Sequence, residues 1–274
     1  MTSKTFSSKV HKRDDVYATQ TTTRIWQELP SPDNPYITSK SRCHGYDLMD
    51  LMQKRSFVDV LYLLFRGELP SRDEAKLLEA LMIAFINPGP RHPATRSAMN
   101  AGVGKTDSSL ILPIALSTMS GSYNGAGALE EAMRFLRKHQ HKPATEVTAN
   151  LFSVTDRPEE GDWHVAPGFG SSYNGIDSMS SQIAERLLNM EAAGSALLWG
   201  QHFANSLSED GMGWLPSGVV AAVLTDLGFQ PRAAVGLYQI ISAPGLLAHG
   251  VELANKSITA MPFIADEDYI IETD

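Results

Sequence analysis

The sequence has a single cysteine, Cys43, so no disulfide framework can form within the chain, and a reducing, cytoplasmic compartment is expected. It lacks a basic excess: 23 Lys and Arg stand against 31 Asp and Glu, for a net charge of -8. That balance argues against a nucleic-acid partner and gives no support to an anionic membrane surface. No run of 18 or more residues is purely apolar, so no transmembrane helix is expected. Met1 to Thr22 is polar and lacks the apolar core of a secretory signal. Sustained apolar-polar alternation is also missing, which excludes a sheet-built fold. What remains is an ordinary globular composition, 43% hydrophobic and 20% charged.

Helical spacing dominates the rest. Residues 1–35 read as an N-terminal arm, with Pro30, Pro32 and Pro35 marking an extended stretch. Apolar residues at helical spacing follow from Tyr46, through Leu48, Leu51, Val60, Leu61 and Leu64, until Gly67 and Pro70 end the run. Ser71 to Glu74 forms a capping box ahead of Leu77, Leu78 and Leu81. Residues 87–95 hold Pro88, Pro90 and Pro93 and read as a rigid loop. Helices are expected over 96–101, from near Asp107 to Met119, and over 127–138. Residues 139–168 are weakly patterned, a mixture of helix and surface loop. One long helix is expected over 178–206, with small residues at Ala192–Ala196 where another backbone could approach. The last third predicts helices over 217–227, over 231–242 and over 244–256, the latter two opened by Pro231 and Pro244. The fold class is all-α, about ten helices.

Several short motifs invite chemistry. Gly102-Val103-Gly104-Lys105-Thr106 hints at a phosphate loop, but that pattern needs glycine where Met99 stands, and a preceding strand. His139 and His141 lack further ligands at metal-binding spacing, so no metal is expected. His164 and His202 are lone histidines of the kind usually found on surfaces or satisfied in cores. His92 sits in the proline-stiffened loop with Arg91 beside it and Arg96 four residues on, a cationic group suited to a carboxylate or phosphate. The same residues would equally serve a solvated loop. His249 alone reads as structural. Gly121 and Gly125 bracket one tight turn, and Gly168, Gly170 and Gly175 mark a second glycine loop.

Read in order, these segments resemble the citrate synthase superfamily, most closely its short citryl-CoA lyase branch and the homologous end of ATP-citrate lyase. Cys43 to Leu48 is similar to Y-R-G-Y-D-I, and Phe57 to Pro70 to F-E-E-V-A-Y-L-L-L-x-G-E-L-P. Gly121 to Gly127 falls where the family has G-P-L-H-G-G-A. Pro167 to Gly170 matches the start of P-G-F-G-H-R-V-Y. Pro216 to Leu227 resembles N-V-D-G-A-x-A-A-V-L-x-D-L-G, and Ser242 to His249 resembles R-T-P-G-L-L-A-H. The resemblance covers roughly residues 40–260. It implies an all-α homodimer with a large helical domain and a small helical lid, the lid falling at about 139–215 within a region 36–274.

The resemblance also implies what has been exchanged. The family's carboxylate base falls on Ser217 and its thioester histidine on Asn124. The histidine after P-G-F-G falls on Ser171, the arginine before T-P-G on Ser242, and the arginine of R-G-Y-D on His44. An asparagine can donate a hydrogen bond but cannot shuttle a proton, and a serine is a weak base. The implied catalytic set is His92, Asn124, Ser171, Ser217, His249 and His44. Arg91, Arg96 and Ser242 are the implied oxo-acid contacts. Coenzyme A is expected against Gly121, Tyr123, Gly125, Gly168, Phe169 and Gly170. Three functions compete: an enzyme making or breaking a C–C bond beside a carboxylated CoA thioester, a non-catalytic protein that binds such a thioester or regulates an enzyme, and a helical interaction protein.

Overall fold

The structure is a computed structural model that describes residues 16–123 and 125–272. The chain divides between Arg55 and Ser56 into two compact units. In the first, β1 (Trp26–Pro30), β2 (Thr38–Cys43) and β3 (Tyr46–Asp47) form an antiparallel sheet in the order β1-β2-β3. The extended stretch expected around the three prolines is thus a hairpin, and its register shifts at Leu29/Pro30. Both strands are largely exposed, so the apolar alternation that would announce them is absent. The Asp47 side chain accepts from the Met49 N–H at 2.9 Å and starts α1 (Leu48–Lys54). Residues 1–15 of the expected arm lie outside the described residues.

The second unit is built of α2 (Phe57–Arg66), α3 (Arg72–Ala84), α4 (Pro93–Val103), α5 (Ser108–Met119), α6 (Leu129–His139), α7 (Ala144–Val154), α8 (Ser178–Leu188), α9 (Ser195–Ser206), α10 (Pro216–Asp226) and α11 (Ala234–Ala254). A two-stranded patch pairs β4 (Phe169–Gly170) with β5 (Gly213–Trp214). The capping box at Ser71 is present, and a second one opens α2 at Ser56. The helix expected from Arg96 begins earlier, at Pro93, because His92 caps it: its Nδ1 accepts from the Ala94 N–H at 3.1 Å.

The core centres on α10. Val219 to Leu224 are fully buried, and α3, α6, α8, α9 and α11 pack around them. A helix that is apolar on all sides has only this place to go. Beside it, α4, α5 and α11 pack on one another, and α4 crosses α11 so closely that a Cβ on Gly102 would overlap the Gly250 carbonyl.

Two helix readings change. The single helix expected over 178–206 is broken at 189–194 into α8 and α9. The smallness of Gly194 serves a contact inside this chain, since a Cβ there would stand 2.5 Å from Asp226 Oδ1. Asp226, on α10, accepts from the Gly194, Ala196 and Leu197 N–H groups at 2.9, 2.8 and 3.0 Å, supplying the cap that the α9 sequence lacks. The two helices expected on either side of residue 243 are one, with Pro244 inside α11. The Gly245 N–H leaves the helical ladder there and donates to the Ile86 carbonyl at 3.0 Å, which lets the helix continue past its proline. The segment Pro231–Ala254 is therefore long and apolar enough, by length and composition, to cross a membrane, contrary to the expectation that none would be. It carries Gln239, Ser242 and His249, and packs along α4 and α5 as a core helix.

Candidate active site

Main-chain contact sets the first wall. Gly168 lies in the left-handed region at φ +84°, and a Cβ on it would stand 2.5 Å from the Cα of Gly218. Conversely, a Cβ on Gly218 would overlap the Gly168 carbonyl oxygen. That oxygen accepts from the Leu215 N–H at 3.0 Å. The loop 166–170 is thus pressed directly on the first turn of α10, which only glycine allows. Phe169 anchors it in the core between Phe203 and Trp214, at ring-centroid distances of 4.9 and 4.6 Å. Gly170 makes room for a neighbouring ring: its Cβ would stand 2.9 Å from Cδ2 of His164.

The other glycine turn, 121–127, folds back on the end of α5. Ala126 donates to the Met119 carbonyl at 2.7 Å and Gly127 to that of Gly121 at 3.0 Å. Tyr123 reaches out of this turn. Its ring stacks on His164 at 4.9 Å and its hydroxyl donates to Asp162 at 2.5 Å. Asp162 also accepts from the Ser171 hydroxyl at 3.1 Å and from the Tyr173 and Asn174 N–H groups at 2.9 and 2.7 Å. Burial pushes the Asp162 pKa up, but these donors, led by Tyr123, outweigh it and hold the carboxyl at about 2. The same bond pushes the Tyr123 hydroxyl up to about 12. One carboxylate therefore ties the two glycine loops together.

Two adjoining cavities result. The first, about 250 Å³, has Gly125, Glu131, His164, Gly168, Ser217 and Tyr238 on its walls. The second, about 300 Å³, lies between the loop before α4 and the start of α8, with Phe85, Arg91, His92, Asp177, Met179 and Ile183 around it. Pro216 and Tyr238 line both, so the two meet there. Burial pushes the Tyr238 hydroxyl up and keeps it neutral.

Of the residues nominated from sequence, Gly125, Gly168 and Ser217 come together on the first cavity, and Arg91 and His92 on the second. Tyr123 acts on the first cavity through Asp162 and His164. Phe169 and Gly170 are buried beneath the loop, and Gly121 closes its turn. Ser171 is buried, its hydroxyl spent on Asp162 and on the Trp163 N–H at 2.8 Å. Ser242 is fully buried and donates to the Phe85 carbonyl at 3.3 Å. His249 Nε2 lies 3.2 Å from Asn87 Nδ2, and Asn87 is on the second cavity's wall. Arg96 is on the exposed side of α4 and lines neither cavity. His44 belongs to the N-terminal unit, with φ 46°. Asn124 lies outside the described residues.

Sequence reasoning missed Asp162 and His164. Neither stands in a motif, and each is placed by contacts across the fold. His164 Nε2 is buried and has no hydrogen-bond partner among the described residues, while the ring lines the first cavity. Burial lowers its pKa, against the pull of Asp162 and the Ser171 main chain, so the imidazole is neutral near pH 7. A neutral imidazole offers one donor and one acceptor, and can take or give a proton. Among the described residues no three His, Cys, Asp or Glu side chains cluster as metal ligands would.

No family model and no curated protein sequence matches the chain. Solved structures do. The citryl-CoA lyase of Hydrogenobacter thermophilus superposes with a TM-score of 0.73 at 24% identity, covering 92% of this chain and 94% of that one. The ATP citrate lyase of Methanosaeta concilii, solved with (3S)-citryl-CoA, gives 0.74 at 15% identity over 95% of this chain and 43% of that one. Citrate synthase from Thermoplasma acidophilum, with carboxymethyl coenzyme A and oxaloacetate, gives 0.59 at 17% identity over 80% of this chain and 58% of that one. The architecture reached from the helices upward is therefore the all-α citrate synthase-like fold, at the length it has in citryl-CoA lyase.

Proposed function

We propose that the chain is a citrate synthase superfamily protein that takes an acyl-CoA thioester in the two joined cavities and makes or breaks a C–C bond beside the thioester. The observation that carries the reading is the meeting of both glycine loops on one cavity, with a second cavity opening from it at Pro216 and Tyr238. Coenzyme A would run along the glycine loops, and the acyl group would enter the second cavity. Arg91 is the side chain there that would meet an acyl carboxylate. Breaking such a bond in a β-hydroxy thioester removes a proton from the hydroxyl and returns one to carbon. His92 and His164 are the wall residues suited to those transfers, and Ser217 is a hydroxyl donor on the cavity that His164 lines. Residues 139–215 carry one side of both cavities and would be the part that moves to admit the ligand.

A second copy of the chain is part of the reading. Leu110 and Ile114 on α5, with Ile240, Leu247 and Val251 on α11, are exposed at helical spacing on two helices that pack together. Such stripes on otherwise core-like helices suit a symmetric apolar interface.

The test is gel-filtered protein, expected to elute as a dimer, incubated with citryl-CoA and related β-hydroxyacyl thioesters while free products are followed by chromatography. Turnover that is lost in His164→Ala supports the reading. A second reading, binding without chemistry, is favoured by the burial of Ser171 and Ser242 in structural hydrogen bonds. Calorimetric binding of acyl-CoA with no turnover would select it. Absence of both binding and turnover would remove both.

A further inference from the structure

The second cavity has the wrong electrostatics for a polycarboxylate. Its walls are mostly apolar, formed by Phe85, Pro88, Pro93, Met179 and Ile183 with the shared Pro216. Its permanent charges are one cation, Arg91, and one anion, Asp177, which cancel. Asp177 is fixed in place: it accepts from the Met179 and Ser180 N–H groups at 3.0 Å each and from the Ser180 hydroxyl at 2.8 Å, starting α8. His92 adds an imidazole ring whose Nδ1 is committed to capping α4. The adjoining cavity brings the neutral His164 and a further carboxylate, Glu131, rather than another cation. Sequence reasoning supplied two more contacts for an oxo-acid, and neither arrives. Arg96 points away on α4, and Ser242 is sealed against the Phe85 carbonyl. Each carboxylate of a ligand needs charge-assisted donors to replace its water, and a fixed like charge nearby adds to the penalty.

Resting on the acyl-CoA reading above, we infer that the acyl group housed in the second cavity is a short, mainly apolar chain bearing at most one carboxylate. The volume, about 300 Å³, is at the small end of ligand sites and fits a chain of a few carbons rather than a long fatty acid. Arg91 stands where a single terminal carboxylate or the thioester's neighbouring carbonyl would find a donor. Beyond Arg91, His92 and Asp177 the wall adds only uncharged groups: the polar Asn87, Ser172, Ser180 and two tyrosines, and otherwise hydrocarbon, proline ring and aromatic edge.

The experiment is calorimetric titration of the full chain with CoA, butanoyl-CoA, hexanoyl-CoA, succinyl-CoA and citryl-CoA. Each buried methylene is worth about a fourfold gain in affinity, so hexanoyl-CoA, with two more, should bind roughly fifteenfold more tightly than butanoyl-CoA. Both should bind more tightly than citryl-CoA. Citryl-CoA or succinyl-CoA binding more tightly than butanoyl-CoA would overturn the inference and leave the acyl-CoA reading standing. No binding by any thioester, CoA included, would bring down that reading and the inference with it. Met179→Arg gives an independent check, because Met179 is 62% exposed at the rim and tolerates a long side chain. In this variant hexanoyl-CoA should weaken several-fold and succinyl-CoA should tighten. Unchanged affinity for both would place the acyl group elsewhere and overturn the inference.

Discussion

The walls of the two cavities are made in different ways. At the first, backbone lies on backbone: Gly168 against Gly218, and the turn 121–127 against the end of α5. At the second, side chains from the loop before α4 and from the start of α8 face one another across the space. A wall made of main chain has almost no freedom to vary, because any added Cβ displaces a segment. A wall made of side chains can change its chemistry one residue at a time. The lesson is that a scaffold for the constant part of a ligand and a socket for its variable part can sit side by side, only one of them rigidly specified.

The sharpest way to break the contrast is Gly218→Ala. Its Cβ would overlap the Gly168 carbonyl oxygen, and no flexible side chain is there to yield. A loss of about 3 kcal/mol or more is expected, read as a fall in Tm of roughly 6 °C or more. A fall within error would mean that the loop can lift from α10, and the rigid wall would be lost as an idea. Asp162→Asn should come next, with a cost on the order of 1 kcal/mol at neutral pH. Its signature is the pH profile. The folded pKa, about 2, lies below the ordinary 3.8, so the ionised group stabilises the fold above 3.8 and that contribution is lost as pH falls from 3.8 through 2. Urea midpoints should decline across that window in the parent chain and less so in the variant. His92→Ala, on the second wall, removes a helix cap and should cost about 1 kcal/mol. A larger thermal shift there than in Asp162→Asn would reverse the ranking of the two walls.

Much of this was legible because it is local. The box at Ser71, the helix start near Asp107 and the apolar spacing of α3, α5 and α6 are written within a turn of where they act. The all-α class followed from them, and the ordered glycine and proline motifs pointed to the loops that meet on the first cavity. What escaped depends on distant partners. The break at 189–194 needs Asp226, more than thirty residues downstream, and continuity through Pro244 needs the Ile86 carbonyl from another segment. His164 looked bland for the same reason: only the folded chain shows the Tyr123 ring on its face and a buried nitrogen without a partner among the described residues.

The Asp226 cap also dictates an order of events. Three N–H groups at the head of α9 stay unanswered until α10 has been synthesised and has docked. While the chain leaves the ribosome, α9 is thus an open-ended segment, and its carboxylate partner arrives late. Kinetic refolding should accordingly find the 189–206 region among the last to gain protection from hydrogen exchange, gated by a single acidic side chain that belongs to the next helix.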